Sequence, residues 1–203
     1  MIYFISDLHL NHSKIIQFER TQFSSIEEHN ETIKNNLFSL KENDELWILG
    51  DLGFSFEWIA ELKCKKYLIL GNHDKYTVSH YKQYFDEVYN HPVWLSPRIC
   101  LSHYPERVDK DVINVHGHLH NSKLDLPNYI NVNAAEIDYK PLSKKFVDAL
   151  VMKIQKDKLK YKFGYEWWVE HQVYKLDIPD EYKPPLTEDG YVKISELRKK
   201  TKI

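Results

Sequence analysis

The chain lacks the features that define several protein classes. It has two cysteines, Cys64 and Cys100, among 203 residues, and neither lies in a Cys-x-x-Cys pair or near a histidine at zinc-finger spacing. A disulfide framework is therefore not indicated, and both cysteines are expected to be small core residues in a reducing compartment. No signal segment is recognisable, and no apolar run approaches the length of a membrane span. We therefore expect a cytoplasmic protein with no membrane partner.

Charge is unevenly distributed along the chain. Residues 1–139 carry 13 Lys and Arg against 20 Asp and Glu, whereas residues 140–203 carry 15 against 10. Such asymmetry can mark a surface for nucleic acid or membrane. Because the lysines of the second part are interleaved with Glu and Asp, we favour a solvated basic tail on an acidic domain.

The pattern of apolar residues predicts an α/β layered fold. Short apolar runs alternate with amphipathic stretches over the first 135 residues. Ser24 or Ser25 is expected to cap a helix, with Glu27 or Glu28 in the capping-box position. Further helices are predicted over residues 54–62 and, after Pro141, over 142–153. The candidate strands are 1–6, 45–49, 67–70, 88–95, 98–102, 112–116 and 129–133.

Polar residues stand at the ends of these apolar runs. In α/β folds, ligands gather at the carboxyl ends of the strands, so residues far apart in sequence are expected to converge on one edge. The residues at or just past such ends are Asp7, Asp51, Asn72, His103 and His118.

Five short motifs together indicate a metal centre. They are Asp7-Leu8-His9, Gly50-Asp51, Gly71-Asn72-His73-Asp74, Ser102-His103 and Gly117-His118-Leu119-His120. Each motif alone is common, but buried acids and imidazoles need partners, and a metal pair supplies them. Carboxylate and imidazole donors without thiolates suit Mn²⁺, Fe, Zn²⁺ or Ni²⁺. A bridging carboxylate can hold two such ions, which lower the pKa of a bound water and clamp a phosphoryl group.

This ordered set resembles the calcineurin-like metallophosphoesterase superfamily, and in particular its small stand-alone bacterial and phage members. The resemblance covers residues 1 to about 150 and implies a four-layer α/β/β/α sandwich. It also implies two divalent ions, with Mn²⁺ our first choice. One metal would be held by Asp7, His9, Asp51 and His120. The other would be held by Asp51, Asn72, His103 and His118, with Asp51 bridging.

The resemblance also implies roles around the metals. His73 would sit over the phosphate and stabilise charge or protonate the leaving oxygen, and Asp74 would orient it. Many family members carry an Asp or His three positions after the bridging aspartate, but Phe54 occupies that position here. His12 is a candidate replacement. Arg20 could meet a phosphate oxygen in a bidentate contact. For both His12 and Arg20, the alternative is a polar side chain that faces solvent and has no role at the site.

The chain is divided into a metallophosphoesterase domain at residues 1–152 and a C-terminal aromatic and basic extension at 153–203. Lysines interleaved with aromatic residues over 156–168 could bind single-stranded nucleic acid. We favour a strand pair that packs its aromatic residues on the core, because lysine alternates with other residues from 156 to 163. A lid or a dimer contact is equally compatible, and so are a monomer and a homodimer.

The sequence therefore predicts a metal-dependent hydrolase of phosphate esters. A phosphodiesterase that acts on a nucleotide or nucleic-acid-like ester through a metal-bridging hydroxide is the leading hypothesis. The alternatives are a phosphomonoesterase, a nuclease, and a binding module that kept the fold without catalysis. The complete ligand set argues against the last of these.

Overall fold

The computed structural model describes residues 1–156 apart from 121, 123 and 125, and for 153–156 it describes the backbone alone. All expectations for the extension beyond residue 156 therefore lie outside the described residues. The strands are β1 Ile2–Ile5, β2 Glu45–Ile48, β3 Lys65–Ile69, β4 Glu87–Tyr89, β5 Val93–Ser96, β6 Ile99–Leu101, β7 Ile113–His116, β8 Tyr129–Asn131 and β9 Leu142–Ser143. The α-helices are α1 Lys14–Phe18, α2 Ile26–Phe38, α3 Val78–Tyr81 and α4 Lys144–Lys156, and 3₁₀ turns cover Glu57–Glu61 and Ala134–Ile137.

Two sheets form the centre of the fold. One has the strand order β4-β3-β2-β1-β9, and its pairs are parallel except for β1 with β9. The other has the order β5-β6-β7-β8, and its pairs are parallel except for β5 with β6. A bridge between Ser6 and Asn133 joins the chain leaving β1 to the chain leaving β8. The two parallel-rich sheets are consistent with the expected sandwich.

The core is apolar and draws on both sheets. Ile5, Ile48 and Leu68 of the first sheet belong to the same buried cluster as Leu101 and Val115 of the second. Cys64 and Cys100 are buried free thiols, as expected for small core residues. Within the described ranges, no helix combines the length and apolarity needed to cross a bilayer.

Helix α2 begins as the capping pattern predicts. The hydroxyl of Ser25 accepts a hydrogen bond from the backbone N–H of Glu28, and the Glu28 carboxylate accepts from the backbone N–H of Ser24. His29, Ile33 and Leu37 form its buried face. Side-chain hydrogen bonds therefore define the start of the helix, and its buried face includes His29, which contacts Arg20.

Two sequence expectations differ from the structure in detail. The apolar run 88–95 is divided by Asn90-His91-Pro92 into β4 and β5, which belong to different sheets. Proline cannot donate a backbone hydrogen bond, so it interrupts a strand. Leu142 and Ser143, which were expected to be helical, pair with β1 before α4 begins. The division proposed after residue 152 lies within α4 and stays a prediction.

Candidate metal centre

The first two loops of the site are joined by backbone hydrogen bonds. Asp7 follows β1 and Asp51 follows β2, which lie side by side in parallel register. The N–H of Asp7 donates to the carbonyl of Gly50, and the N–H of His9 donates to the carbonyl of Asp51. The predicted convergence of strand ends is therefore present here.

Four of the predicted ligands adopt a left-handed backbone. Asp7, His9, Asp51 and His118 have φ angles of 55°, 47°, 54° and 65°. This conformation costs a residue with a side chain about 1–2 kcal/mol, and such strain collects at functional sites. The surrounding contacts must therefore hold these loops in a conformation that the isolated chain would avoid.

Close packing around the carboxylates accounts for two of the glycines that precede ligands. A Cβ at Gly117 would collide with the Ser6 hydroxyl and with the carboxylate of Asp7. A Cβ at Gly71 would collide with Oδ1 and the backbone nitrogen of Asp51. At both positions a side chain is excluded by the carboxylates themselves.

The first group of predicted ligands converges tightly. One ligand atom each from Asp7, His9, Asp51 and His120 lies within 4.8 Å of all the others. Nε2 of His9 is 3.3 Å from Nε2 of His120 and 3.8 Å from Oδ2 of Asp51. Oδ1 of Asp7 is 3.5 Å from Nε2 of His120. Ligands that share one ion at bonds of about 2.0–2.2 Å lie about 3–4 Å apart, so these separations fit one cation.

The second group surrounds the amide oxygen of Asn72. That oxygen is 2.9 Å from Nε2 of His103 and 3.0 Å from Nδ1 of His118. Oδ1 of Asp51 is 3.6 Å from the same His103 nitrogen. The structure thus brings all seven predicted ligands into two adjoining groups, with Asp51 in both.

The donor and acceptor roles of the site fit bound cations. Nδ1 of His103 must donate to the carbonyl oxygen of Leu49 at 2.8 Å, so a neutral imidazole turns an unprotonated Nε2 towards the oxygens of Asn72 and Asp51. Oδ2 of Asp51 is buried and has no hydrogen-bond partner among the residues that the structure describes. Acceptors that face one another without a proton between them are stabilised by a metal ion.

Burial favours the neutral form of both the histidines and the carboxyl group of Asp7. It lowers the pKa of His9 to about 2, and the nearby Arg20 and His120 add to this effect. Burial also lowers the pKa of His118 and raises the pKa of Asp7. Neutral imidazoles are the form that binds metals, and a cation offsets the cost of a buried carboxylate.

Asp74 contacts backbone rather than the ring of His73. Its carboxylate accepts hydrogen bonds from the N–H groups of Asp51, Leu52 and Gly71, at 2.7–2.9 Å. It therefore ties together the loops that carry Asp51 and Asn72. This placement differs from the expected contact in which Asp74 orients the His73 side chain.

His73 and His12 both lie beside His9. Their ring centroids are 5.7 Å and 5.8 Å from the ring of His9. The backbone N–H of His73 donates to Oδ1 of Asp51, and the residue is exposed. Nδ1 of His12 is buried, and no described residue forms a hydrogen bond with it. Both rings therefore lie next to the first group of ligands.

Arg20 lies beneath the site rather than at its mouth. Arg20 is 1% exposed, and its guanidinium donates to the carbonyl oxygens of Asp7 and Leu8 and contacts Nε2 of His29 at 2.5 Å. Through these hydrogen bonds the buried guanidinium stabilises the loop of Asp7 and His9, whose backbone is left-handed. Because these contacts are to the chain itself, the expectation that Arg20 makes a bidentate contact with a phosphate is wrong.

Two residues near the ligands were not anticipated from the sequence. The carboxylate of Glu19 contacts Nδ1 of His120 across 101 residues of chain. Tyr104 is 46% exposed, and its ring centroid lies 4.3 Å from that of His118 and 5.0 Å from that of His103. The only sequence signals were adjacency to Arg20 and to His103. His116 is also buried close to the ligands, and its Nδ1 contacts the carbonyl oxygen of Gly117.

Known proteins show the same resemblance. The family model described as calcineurin-like phosphoesterase matches residues 1–192. An uncharacterized protein of Methanocaldococcus jannaschii is 33% identical over 176 residues, which cover 78% of this chain and 93% of that protein. The Gene 66 protein of Mycobacterium phage L5 is 35% identical over 81 residues, 36% of this chain and 39% of that protein.

A solved structure has a similar fold. It is a protein of unknown function from Aquifex aeolicus, with a TM-score of 0.60 and 30% identity, and the match covers 74% of this chain and 98% of that one. The family match extends over most of the chain and includes every predicted ligand. The chain therefore belongs to the calcineurin-like phosphoesterase family, which implies metal-dependent hydrolysis of phosphoesters.

Proposed function

We propose that the protein is a binuclear phosphodiesterase that acts on a nucleotide or nucleic-acid-like phosphate ester, with Mn²⁺ as the first choice of metal. The observation that carries this proposal is the orientation of Asp51. Its Oδ2 faces His9, and its Oδ1 faces His103. A carboxylate placed between two groups of neutral donors is suited to bridge two cations.

The metals and the protein would divide the chemistry between them. When bound, a pair of divalent ions lowers the pKa of water and neutralises charge on the phosphate oxygens. The residues of the chain would then bind the ester and donate a proton or a hydrogen bond to the leaving group. His73 is exposed beside His9, where it can donate a proton or a hydrogen bond to the departing oxygen.

The exposed ring of Tyr104 supports a diester rather than a monoester. A diester carries a second organic group that needs a surface beyond the phosphate. Tyr104 lies against His103 and His118 and is 46% exposed, so it offers an aromatic face next to the second group of ligands. Bases and aryl groups stack on such faces.

The test compares two model esters under identical conditions. Purified protein supplied with Mn²⁺ should hydrolyse bis(p-nitrophenyl) phosphate faster than p-nitrophenyl phosphate, and chelation should remove the activity. Asp51→Asn should lose turnover with both esters. Preference for the monoester would replace the diester assignment with a phosphomonoesterase, whereas full activity of Asp51→Asn would overturn the metal-dependent mechanism itself.

A further inference from the structure

Glu19 occupies a fixed position just after α1. The backbone N–H groups of Glu19 and Arg20 both donate to the carbonyl of Ile15, at 3.0 Å and 2.9 Å. From this turn the two side chains diverge. The Arg20 guanidinium reaches the carbonyl of Asp7, and the Glu19 carboxylate reaches Nδ1 of His120. One short turn therefore contacts both the first and the last ligand of the predicted set.

The Glu19 contact determines which nitrogen of His120 can bind a cation. An ionised carboxylate only accepts hydrogen bonds, so Nδ1 of His120 must carry the proton in this contact. A neutral imidazole then has its free lone pair on Nε2. That nitrogen points at the first group of ligands, 3.5 Å from Oδ1 of Asp7 and 3.3 Å from Nε2 of His9.

His120 also needs support more than its neighbours do. Its side chain is 24% exposed, compared with 6% for His9 and 0% for Asp7 and Asp51. Packing alone therefore restrains the His120 ring least among the first group of ligands. A carboxylate on the far nitrogen of a ligating histidine fixes the ring orientation and raises the basicity of the ligand.

We propose that Glu19 is a positioning residue that holds His120 in the Nδ1–H tautomer, with Nε2 directed at the first metal. The inference rests on the proposed binuclear site, since Glu19 acts only through His120. The competing explanation is a partly exposed ion pair of small energetic value. That explanation gives Glu19 no influence on metal binding.

Metal affinity separates the two explanations. Mn²⁺ binding to the full chain is measured by isothermal titration calorimetry for the wild type, Glu19→Ala and Glu19→Gln. Glu19→Ala should weaken one of two Mn²⁺ sites about 10- to 100-fold. Glu19→Gln should weaken it less, because the amide oxygen still accepts from Nδ1–H. Glu31→Ala, an exposed glutamate of α2, is the matched control and should bind like the wild type.

A second readout does not depend on metal or activity. Two-bond ¹H–¹⁵N correlation spectra of the metal-free protein, recorded at about pH 8.5 where an ordinary imidazole is neutral, report the tautomer of each histidine. The His120 resonances, assigned with His120→Gln, should show the Nδ1–H form in the wild type and in Glu19→Gln. Glu19→Ala should show a mixture or the opposite tautomer.

The outcomes distinguish failure of this inference from failure of the proposed function. A wild type that binds no Mn²⁺ would refute the metal site itself. A wild type that binds two ions, with Glu19→Ala equal to it in both affinity and tautomer, would refute the role of Glu19 alone. A weakened site together with the changed tautomer is the result we expect.

Discussion

Oδ1 of Asp51 accepts a 2.8 Å hydrogen bond from the backbone N–H of His73. Asp51, which is predicted to bridge the metals, therefore also holds the backbone of His73, which is predicted to assist the leaving group. His73 can be replaced without loss of this bond, because the donor is backbone. Ligand and leaving-group functions can thus be separated by mutation.

His73→Ala should lower kcat for a phosphodiester by about 10²- to 10⁴-fold while two Mn²⁺ ions still bind. The loss should be larger for a dinucleotide, whose alkoxide leaves poorly, than for bis(p-nitrophenyl) phosphate, whose phenolate leaves readily. Steady-state kinetics on both esters and Mn²⁺ titration provide the check. Equal losses on the two esters would assign His73 to binding rather than to the leaving group.

Asp74→Asn should lower stability and Mn²⁺ affinity together. The Asp74 carboxylate accepts from three backbone N–H groups, and an amide can replace only part of this arrangement. Hydrogen bonds to a charged group contribute about 1.5–3 kcal/mol each, so the free energy of unfolding should fall by at least one such amount. Urea unfolding measures it, with the exposed Asp111→Asn as control. A stable variant with lost turnover would instead make Asp74 a catalytic residue.

Gly117→Ala should abolish binding at the first metal site. Its new methyl group would overlap the Ser6 hydroxyl and the Asp7 carboxylate, which cannot both move while keeping their backbone bonds. Calorimetric titration with Mn²⁺ shows the loss, and circular dichroism shows whether the fold persists. A folded Gly117→Ala that binds two ions normally would disprove this reading of the packing.

The strand-end pattern predicted the ligands but not their supports. Asp7, Asp51 and His118 could be predicted because each follows an apolar run, and parallel strands end at a common edge. Arg20 could not be placed, because its side chain contacts carbonyls 12 and 13 residues away and His29 on helix α2. Such long-range contacts produce no periodic signal in the sequence.

His29 illustrates the same limit and leads to a pH prediction. No sequence motif distinguishes His29, yet it is buried against Arg20. Burial, together with the nearby guanidinium, lowers the pKa of His29 to about 4 from 6.5. Between pH 4 and pH 6.5, His29 is protonated in the unfolded chain and neutral in the folded chain. The contribution of His29 to the free energy of unfolding therefore falls as the pH decreases from 6.5 towards 4.

His29→Gln should remove the uptake of one proton on unfolding, so the free energy of unfolding should depend less steeply on pH, by about 1.4 kcal/mol per pH unit. Urea unfolding of both proteins at several pH values from 4 to 7 measures the difference in slope. Parallel curves for the two proteins would show that His29 titrates alike in the folded and unfolded states.

Tyr104→Ala should raise KM for bis(p-nitrophenyl) phosphate more than it lowers kcat, because the lost ring is a stacking surface rather than a reacting group. Tyr104→Phe is the matched control and should keep the wild-type KM. A change in kcat shared by both variants would assign the effect to the phenol instead.

The number of Mn²⁺ ions held per chain at saturation, measured by equilibrium dialysis, tests the binuclear site most directly. We expect two ions for the wild type and fewer for Asp51→Asn, since Asp51 belongs to both ligand groups. One ion or none in the wild type, or two ions still bound by Asp51→Asn, would contradict this expectation.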